Sequence, residues 1–287
     1  METKDLIKKV RKIEIKTKRL TSNLFTGQYS SAFKGKGMVF SEVRKYVPGD
    51  DVRDIDWNVT AKLSEPYVKI FEEERELTMI LMVDASSSNL FGSNSKYKKD
   101  LLVEICAVLA FSAMQNNDKV GVLFFTDRNE LYIPPKKGKK HILRIIRELI
   151  NFKPSSSKTN ISNACSYINK IVKKKSIIFL LSDFIDDDYF KSLNLLSNKH
   201  DLNGIRIYDS FENSIPDIGL ALFWDTENQK FQWVDTSSDL VIKKLKKHFY
   251  KNHSYFNNSF MKSGSSFVNI ATNDSYIVKL LELFKNK

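Results

Sequence analysis

Five oxygen-bearing side chains have the types and the spacing expected of a divalent metal site. They are Asp84, Ser86, Ser88, Thr159 and Asp183. The first three follow an apolar run at residues 78–83, and the last follows a second apolar run at residues 176–182. Carboxylate and hydroxyl oxygens are hard ligands of the kind that Mg²⁺ or Mn²⁺ prefers. If these side chains converge, the sequence predicts a metal-dependent binding surface.

The same residues also have an ordinary interpretation. Ser88 and Thr159 could be N-caps of the helices that follow them, and Asp183 could be a turn residue. The placement of both aspartates after buried strands favours the metal site.

The elements that must position these residues alternate between strand and helix from residue 78 onward. This alternation predicts an α/β fold with a doubly wound, mainly parallel sheet that is Rossmann-like and covered by helices on both faces. The predicted strands are residues 78–83, 120–125, 130–133, 176–181, 203–208 and 266–270, and the predicted helices are residues 96–115, 139–150, 161–172, 187–197, 238–261 and 274–284.

The strand ends explain how two distant aspartates could share one ion. Ligands of open α/β sheets bind at the carboxyl ends of the strands, where the strand order reverses. Asp84 and Asp183 each follow such a predicted strand closely. Two carboxylates about 4 Å apart repel by roughly 4 kcal/mol at an effective dielectric constant near 20. A divalent cation would remove that penalty.

Two segments depart from the alternation. Residues 220–224 and 230–234 predict a β-hairpin insertion, placed at about 218–236. Residues 1–77 differ in character from the rest, because a basic amphipathic helix precedes a small β-rich module. The sequence therefore predicts two domains, at residues 1–77 and 78–287.

The composition indicates a folded protein without disulfide bonds. Hydrophobic residues make up 42% of the 287 residues, enough for a sizeable core. Cys106 and Cys165 lie in apolar helical patterns, so we expect buried free thiols in a reducing cytosol. No apolar run is long enough to span a membrane and no secretion signal is visible, so we expect a cytoplasmic protein.

The net charge of +12 is concentrated in two segments. Residues 1–36 hold ten Lys/Arg against three Asp/Glu, and residues 119–153 hold nine against three. Solvated helix faces explain such charge most simply. An acidic partner or an anionic membrane surface is the alternative, and peripheral membrane contact stays open. No nucleic-acid motif accompanies the charge, so we do not expect nucleic acid binding.

The type and order of the five residues resemble the metal-ion-dependent adhesion site of von Willebrand factor type A domains. The resemblance implies that these positions hold Mg²⁺ directly or through water. It also implies that an acidic residue of a partner protein completes the coordination.

A second resemblance covers nearly the whole chain. The segment from Gly35 to Trp57, together with residues 68–77, 84–92 and 209–216, is similar to the signature of the bacterial domain of unknown function 58 family. One departure is Asn89, where that family usually has Met. The resemblance implies a partner, a MoxR-type AAA+ ATPase, with which members are thought to assemble or activate client proteins.

A dense group of charged residues lies upstream of the predicted sheet. Its candidates for a partner-binding surface are Arg44, Asp50, Asp51, Arg53, Asp56 and Trp57. A second metal site or a hot spot built on Trp57 and Arg53 is one interpretation. We favour the simpler one, in which the aspartates are turn residues paired with arginines such as Arg75, next to a buried tryptophan.

The sequence favours a non-enzymatic, metal-dependent protein-interaction module. The histidines lack zinc-protease spacing, and neither a Walker A loop nor a Gly-x-Ser-x-Gly elbow is present. One alternative is a metal-dependent hydrolase or nuclease that uses Asp84 and Asp183 with the acidic cluster at residues 50–56. The other is a basic protein that binds nucleic acid or anionic lipid through residues 4–19 and 136–147.

Overall fold

The computed structural model describes residues 38–73, 77–87, 97–213, 217–225 and 230–285. These residues belong to two compact units, one that ends at Leu77 and one that begins at Thr78. The predicted basic helix and Ser88 lie outside the described residues, so the structure does not bear on either.

The first unit is a two-stranded sheet with a short helix between its strands. Strand β1 (Met38–Lys45) pairs antiparallel with β2 (Tyr67–Glu73), and a 3-10 turn (Val52–Asp54) and helix α1 (Trp57–Leu63) lie between them. The module predicted as β-rich therefore also contains a helix. Helix α1 forms because the Asp56 carboxylate accepts hydrogen bonds from two backbone N–H groups of its first turn.

The second unit contains a six-stranded sheet, within the described residues, with the order β10-β7-β6-β3-β4-β5. All neighbours are parallel except β5, which pairs antiparallel with β4 at one edge. The chain runs outward through β4 and β5 and then returns to β6, so the strand order reverses between β3 and β6. This topology confirms the predicted α/β, doubly wound, mainly parallel sheet. The strands are β3 (Thr78–Asp84), β4 (Lys119–Phe125), β5 (Asn129–Lys136), β6 (Ile177–Ser182), β7 (Asp201–Tyr208) and β10 (Ser266–Ala271).

Helices cover both faces of this sheet. They are α2 (Lys98–Gln115), α3 (Lys139–Asn151), α4 (Ile161–Ile171), α5 (Phe190–Lys199), α6 (Ser210–Asn213), α7 (Asp239–Lys262) and α8 (Tyr276–Lys285). On one face, α4, α5 and α7 share a core cluster with Leu180 of β6. On the other face, Phe284 of α8 meets Phe179 of β6 with ring centroids 6.4 Å apart. Because both faces are covered, the six residues of β6 are all buried and its sequence shows no polar alternation.

Two predicted bounds differ from the structure for physical reasons. Strand β5 continues through Pro134 and Pro135, where the prediction stopped, because an edge strand tolerates proline. Helix α5 begins at Phe190, three residues later than predicted. The acidic residue before it has another role, since Asp186 Oδ2 accepts a 2.7 Å hydrogen bond from the backbone N–H of Ile161 at the start of α4.

The remaining elements agree with the sequence. Strand β8 (Leu220–Asp225) pairs antiparallel with β9 (Lys230–Asp235) to form the predicted hairpin, whose turn at 226–229 lies outside the described residues. Cys106 and Cys165 are buried free thiols. Within the described residues, no helix has both the length and the apolar character that a membrane crossing requires.

Candidate metal centre

Asp84 lies at the carboxyl end of β3, beside the point where the strand order reverses. Its side chain is buried, with 1% exposure, and Ser86 is equally buried. The backbone N–H of Ser86 donates a 2.9 Å hydrogen bond to Asp84 Oδ1. This contact folds the chain back over the carboxylate, so the Asp-x-Ser spacing brings Ser86 to the same point.

Two hydroxyl groups meet the other oxygen of Asp84. Ser182 at the end of β6 donates to Asp84 Oδ2 at 2.6 Å, and Thr159 Oγ1 lies 3.5 Å from the same oxygen. The N-cap of α4 is Asn160, whose side chain accepts from the backbone N–H of Asn163 at 2.8 Å. The interpretation of Thr159 as an N-cap is therefore wrong, and its hydroxyl is directed at Asp84.

Asp183 leaves β6 through a constrained turn. The next residue, Phe184, has a φ of 56°, a left-handed conformation that is uncommon for a bulky residue. Its backbone N–H donates to Ser182 Oγ at 2.9 Å, and its ring is packed between Tyr189 and Phe256, with centroid distances of 5.8 and 4.4 Å. Burial of the Phe184 ring thus stabilises the turn that places Asp183 at the sheet edge.

The pKa of Asp84 is affected both by burial and by the nearby carboxylate of Asp183. Burial, followed by the negative charge of Asp183, raises the pKa of Asp84 to about 7. Hydrogen bonds from Ser182 and Ser86 oppose that shift without cancelling it. A cation between the two carboxylates would stabilise the ionised form of both.

A buried lysine stands beside Asp183. Lys98 Nζ lies 3.2 Å from Asp183 Oδ2 and 2.7 Å from Glu212 Oε1, and 1% of its side chain is exposed. Burial acts to lower the pKa of Lys98, but the charges of Asp183 and Glu212 outweigh it, and the pKa is raised. Lys98 therefore stays charged and serves as an internal counter-ion.

Arg206 contacts the backbone of Asp183 and side chains of helix α7. Its Nε donates to the backbone carbonyl oxygen of Asp183 at 3.1 Å, and its Nη1 donates to His253 Nδ1 at 2.9 Å. The guanidinium carbon lies 5.2 and 4.9 Å from the ring centroids of Tyr208 and Phe249. These contacts fix the backbone of Asp183 against helix α7.

The donor set fits a hard divalent cation. Asp84, Asp183 and Glu212 bring three carboxylates, whereas Lys98 and Arg206 bring two cations. Within the described residues, no group of three or more His, Cys, Asp or Glu side chains is arranged to hold a metal ion. A metal at this edge would therefore bind two carboxylates together with hydroxyls, which is the ligand chemistry of Mg²⁺ or Mn²⁺ rather than of a thiolate or imidazole site.

Sequence reasoning missed four residues of this site, namely Lys98, Ser182, Arg206 and Glu212. A signal existed for Lys98, because it is the first residue of α2, where the helix dipole disfavours a positive charge. Glu212 lies in the segment at residues 209–216 that carries the family resemblance, so that segment contributes a side chain to the site.

The charged cluster of the first unit serves mainly local structure. Asp50 accepts two 2.7 Å hydrogen bonds from Arg44 and a third from the backbone N–H of Val47. Asp51 accepts from the backbone N–H of Arg53 at 3.0 Å. The interpretation as turn aspartates thus describes these residues well, whereas Arg75 lies outside the described residues.

Trp57 departs from that interpretation. The sequence predicts that it is buried, but 66% of it is exposed at the start of α1. The side chain of Arg53 is 92% exposed. Both remain candidates for partner binding.

The basic segment at residues 136–147 runs from the end of β5 into the first part of α3. Lys139, Lys140, Arg144 and Arg147 are all exposed, whereas Ile142, Ile145 and Ile146 are buried. This is the pattern of an ordinary amphipathic helix with a solvated face.

Comparison with known proteins identifies relatives over most of the chain. A family model described as "Protein of unknown function DUF58" matches residues 42–254. Uncharacterized proteins of Mycobacterium tuberculosis and Mycobacterium bovis are 26% identical over 222 residues, which are 76% of this chain and 70% of theirs. The uncharacterized protein YeaD of Bacillus subtilis is 27% identical over 111 residues, which are 39% of this chain and 26% of YeaD.

Solved structures similar to this chain include bacterial and animal proteins. The conserved hypothetical protein BatB of Bacteroides thetaiotaomicron is 10% identical and covers 73% of this chain and 98% of its own, with a TM-score of 0.48. An aerotolerance-related membrane protein of Bacteroides fragilis is 12% identical and covers 74% and 100%, with a TM-score of 0.49. Proximal thread matrix protein 1 from the mussel byssus, with a zinc-occupied MIDAS motif, is 12% identical and covers 74% and 70%, with a TM-score of 0.37. The fold assignment rests on the strand order of the sheet rather than on these similarities.

Proposed function

Since this chain belongs to the family described as protein of unknown function DUF58, we propose that it is a non-enzymatic module that binds partner proteins through a divalent metal ion. The observation that carries the proposal is the buried carboxylate of Asp84, which meets the hydroxyls of Ser182 and Thr159 beside a second carboxylate. The negative charge of Asp183 contributes to the raised pKa of Asp84, so a cation bound by both side chains would relieve their repulsion.

The residues that would hold the ion are those at the ends of β3 and β6 and in the loop before α4. They are Asp84, Ser86, Ser88, Thr159 and Asp183, with Ser88 included from the sequence alone. When bound, Mg²⁺ or Mn²⁺ would supply a Lewis-acidic position for a carboxylate of another molecule. Ser182 and Lys98 would orient the carboxylates of Asp84 and Asp183.

The charge balance supports an acidic partner. When all three are ionised, the carboxylates of Asp84, Asp183 and Glu212 exceed the charges of Lys98 and Arg206 by one. A divalent cation would reverse the sign of this local charge, and one carboxylate from a partner would neutralise it. A metal site in this environment therefore attracts an acidic ligand.

The histidines favour binding over catalysis. The chain has four, and each is placed in the structure. Nε2 of His141 contacts the carbonyl oxygen of Val120, and His248 pairs with Asn252. The Nδ1 of His253 accepts from Arg206, and His200 is buried with 2% exposure. None of the four is positioned to act as a general base beside Asp84.

The partner and the compartment are further parts of the proposal. A MoxR-type AAA+ ATPase as the partner, and the assembly or activation of clients as the outcome, rest on the family resemblance. A cytoplasmic location is supported by the buried free thiols of Cys106 and Cys165, which suit a reducing compartment.

An affinity experiment tests this function. The full chain would be immobilised and exposed to lysate of the source organism in Mg²⁺ or in EDTA, with retained proteins quantified by mass spectrometry. We expect a defined set, including an AAA+ ATPase, that is retained in Mg²⁺ and released by EDTA. Asp84→Ala should lose this set, whereas the matched exposed control Asp239→Ala should keep it. Equal retention in EDTA would overturn the proposal, and turnover of phosphodiester substrates with Mn²⁺ would favour the hydrolase alternative.

A further inference from the structure

A cavity of about 170 Å³ opens directly beside Asp84 and Ser86. It lies between the carboxyl ends of β3 and β4 and the two helices α2 and α3. Its remaining lining is mostly apolar and includes Leu102, Phe124, Leu149 and Phe152, together with Lys99 and Lys153. The candidate metal centre and this cavity thus share a wall.

The apolar part of the cavity is rigid and aromatic. Leu102, Phe124 and Leu149 are each no more than 3% exposed, so they are held by the core. The rings of Phe124 and Phe152 are stacked, with centroids 4.5 Å apart and an interplanar angle of 15°. A dry apolar cavity of roughly 150 Å³ is large enough to take a benzene ring. This cavity therefore has the size and the chemistry to hold one large apolar side chain.

Two lysines lie at the same cavity. Lys99 donates from Nζ to the backbone carbonyl oxygen of Phe152 at 3.3 Å, and Lys153 is exposed at the end of α3. These two lysines make the lining of the cavity complementary to an acidic segment.

We propose that the cavity receives a large apolar side chain, preferably aromatic, from the same acidic segment of a partner whose carboxylate lies on the metal. This inference rests on the proposed function and adds a sequence requirement to it. Because Asp84 and Ser86 belong to both sites, the acidic and the apolar residue must be close neighbours in the partner. The lysines then attract further acidic residues of that segment.

Small carboxylates serve as probes of the two-point contact. Acetate presents the carboxylate alone, whereas phenylacetate, 3-phenylpropionate and 4-phenylbutyrate add a phenyl ring at increasing distances. Their affinities for the full chain would be measured by NMR titration in Mg²⁺ and in EDTA. Burial of a phenyl group corresponds to at least about a tenfold gain in affinity, so one phenylalkanoate should bind at least about ten times tighter than acetate in Mg²⁺.

Variants of the cavity separate its contribution from that of the metal. Leu149→Phe should fill the cavity and remove the gain from the phenyl ring while acetate still binds, and Leu149→Met is the matched control of similar volume. Lys153→Glu should weaken every carboxylate probe severalfold. Lys174→Glu is its control, because Lys174 precedes β6 at the opposite edge of the sheet. The comparison of acetate with the phenylalkanoates on the wild-type chain keeps the test decisive if Leu149→Phe does not fold.

The outcomes distinguish this inference from the function on which it rests. Metal-dependent acetate binding with no gain from any phenyl ring would overturn the inference and leave the metal-dependent module intact. Phenylalkanoates that bind equally well in EDTA would also overturn it, because the cavity would then act independently of the metal. If no probe shows metal-dependent binding, both this inference and the proposed metal-dependent function are wrong.

Discussion

The ammonium group of Lys98 lies 3.2 Å from Asp183 Oδ2, and each side chain is only 1% exposed. Lys98 also lies 2.7 Å from Glu212 Oε1, so one buried cation serves two carboxylates. This contact gives the carboxylate of Asp183 a buried counter-ion that belongs to the chain itself. It also implies that the stability of the chain without metal depends on Lys98.

Replacement of Lys98 by Met should destabilise the protein strongly. Removal of one partner from a buried ion pair typically costs about 3–5 kcal/mol, because the remaining charges lose their compensation. Urea unfolding in EDTA would measure this loss. Addition of Mg²⁺ should restore stability to Lys98→Met more than to the wild type, since an ion that binds only the folded state stabilises it by mass action.

The adjacent lysine provides the control for that variant. Lys99 makes a 3.3 Å hydrogen bond to the backbone carbonyl oxygen of Phe152 and lies at a partly exposed position. Lys99→Met should therefore cost much less stability than Lys98→Met. Equal losses of unfolding free energy in the two variants would show that the ion pair of Lys98 with Asp183 contributes no more to stability than the hydrogen bond of Lys99.

Replacement of Asp84 by Asn should stabilise the protein at high pH in EDTA. The folded pKa of Asp84 is raised to about 7, so the native state loses stability as the pH rises from about 4 to 7 and the buried group ionises. Asparagine removes this ionisation while keeping the shape. We expect a gain on the order of 1–3 kcal/mol at pH 8 that shrinks at pH 5, measured by urea unfolding. A variant that is less stable than the wild type at both pH values would contradict this.

Thr159 and Asn160 should separate metal binding from helix capping. Asn160→Ala removes the N-cap of α4 and should cost about 0.5–2 kcal/mol of stability with little effect on metal affinity. Thr159→Ala removes a hydroxyl directed at Asp84 and should weaken metal binding with a smaller loss of stability. Paired thermal unfolding and Mg²⁺ titration would measure both. The assignment of roles would be wrong if the two variants exchanged these effects.

His200 should make the protein sensitive to acid. It is buried, neither ring nitrogen has a hydrogen-bond partner in the described part of the chain, and burial lowers its pKa to about 4. The unfolded chain, with a pKa near 6.5, takes up the proton first. The contribution of His200 to stability is therefore fully present above pH 6.5 and is lost as the pH drops toward 4, by up to about 3 kcal/mol.

Replacement of His200 by Leu tests that expectation, because it removes this ionisation. Urea unfolding between pH 7 and 4 should show a shallower loss of stability for His200→Leu than for the wild type. If the unfolding free energies of the two proteins fall in parallel as the pH drops, protonation of His200 does not cause the acid sensitivity.

The sequence sufficed for the sheet and for the carboxylates of the site. Buried strands are read as continuous apolar runs, and the carboxyl ends of parallel strands meet at one edge, so Asp84 and Asp183 could be predicted to converge. The threonine could be named but not assigned, because only the structure shows that Asn160 is the cap and that Thr159 is directed at Asp84.

The ion pairs of Lys98 with Asp183 and Glu212 could not be predicted with the same reasoning. Lys98 and Glu212 come together through the packing of α2 and α6, which no local pattern encodes. The short helix α1 was missed because it depends on the single cap at Asp56 rather than on a long periodic pattern.

The central claim is that the Asp84 site binds a divalent cation, and calorimetric titration of Mn²⁺ and Mg²⁺ into the full chain tests it most directly. We predict one ion per wild-type chain and a loss of affinity of at least about a hundredfold in Asp84→Asn, which corresponds to roughly 2.8 kcal/mol. Equal binding by the wild type and Asp84→Asn, or no binding by the wild type, would contradict the account.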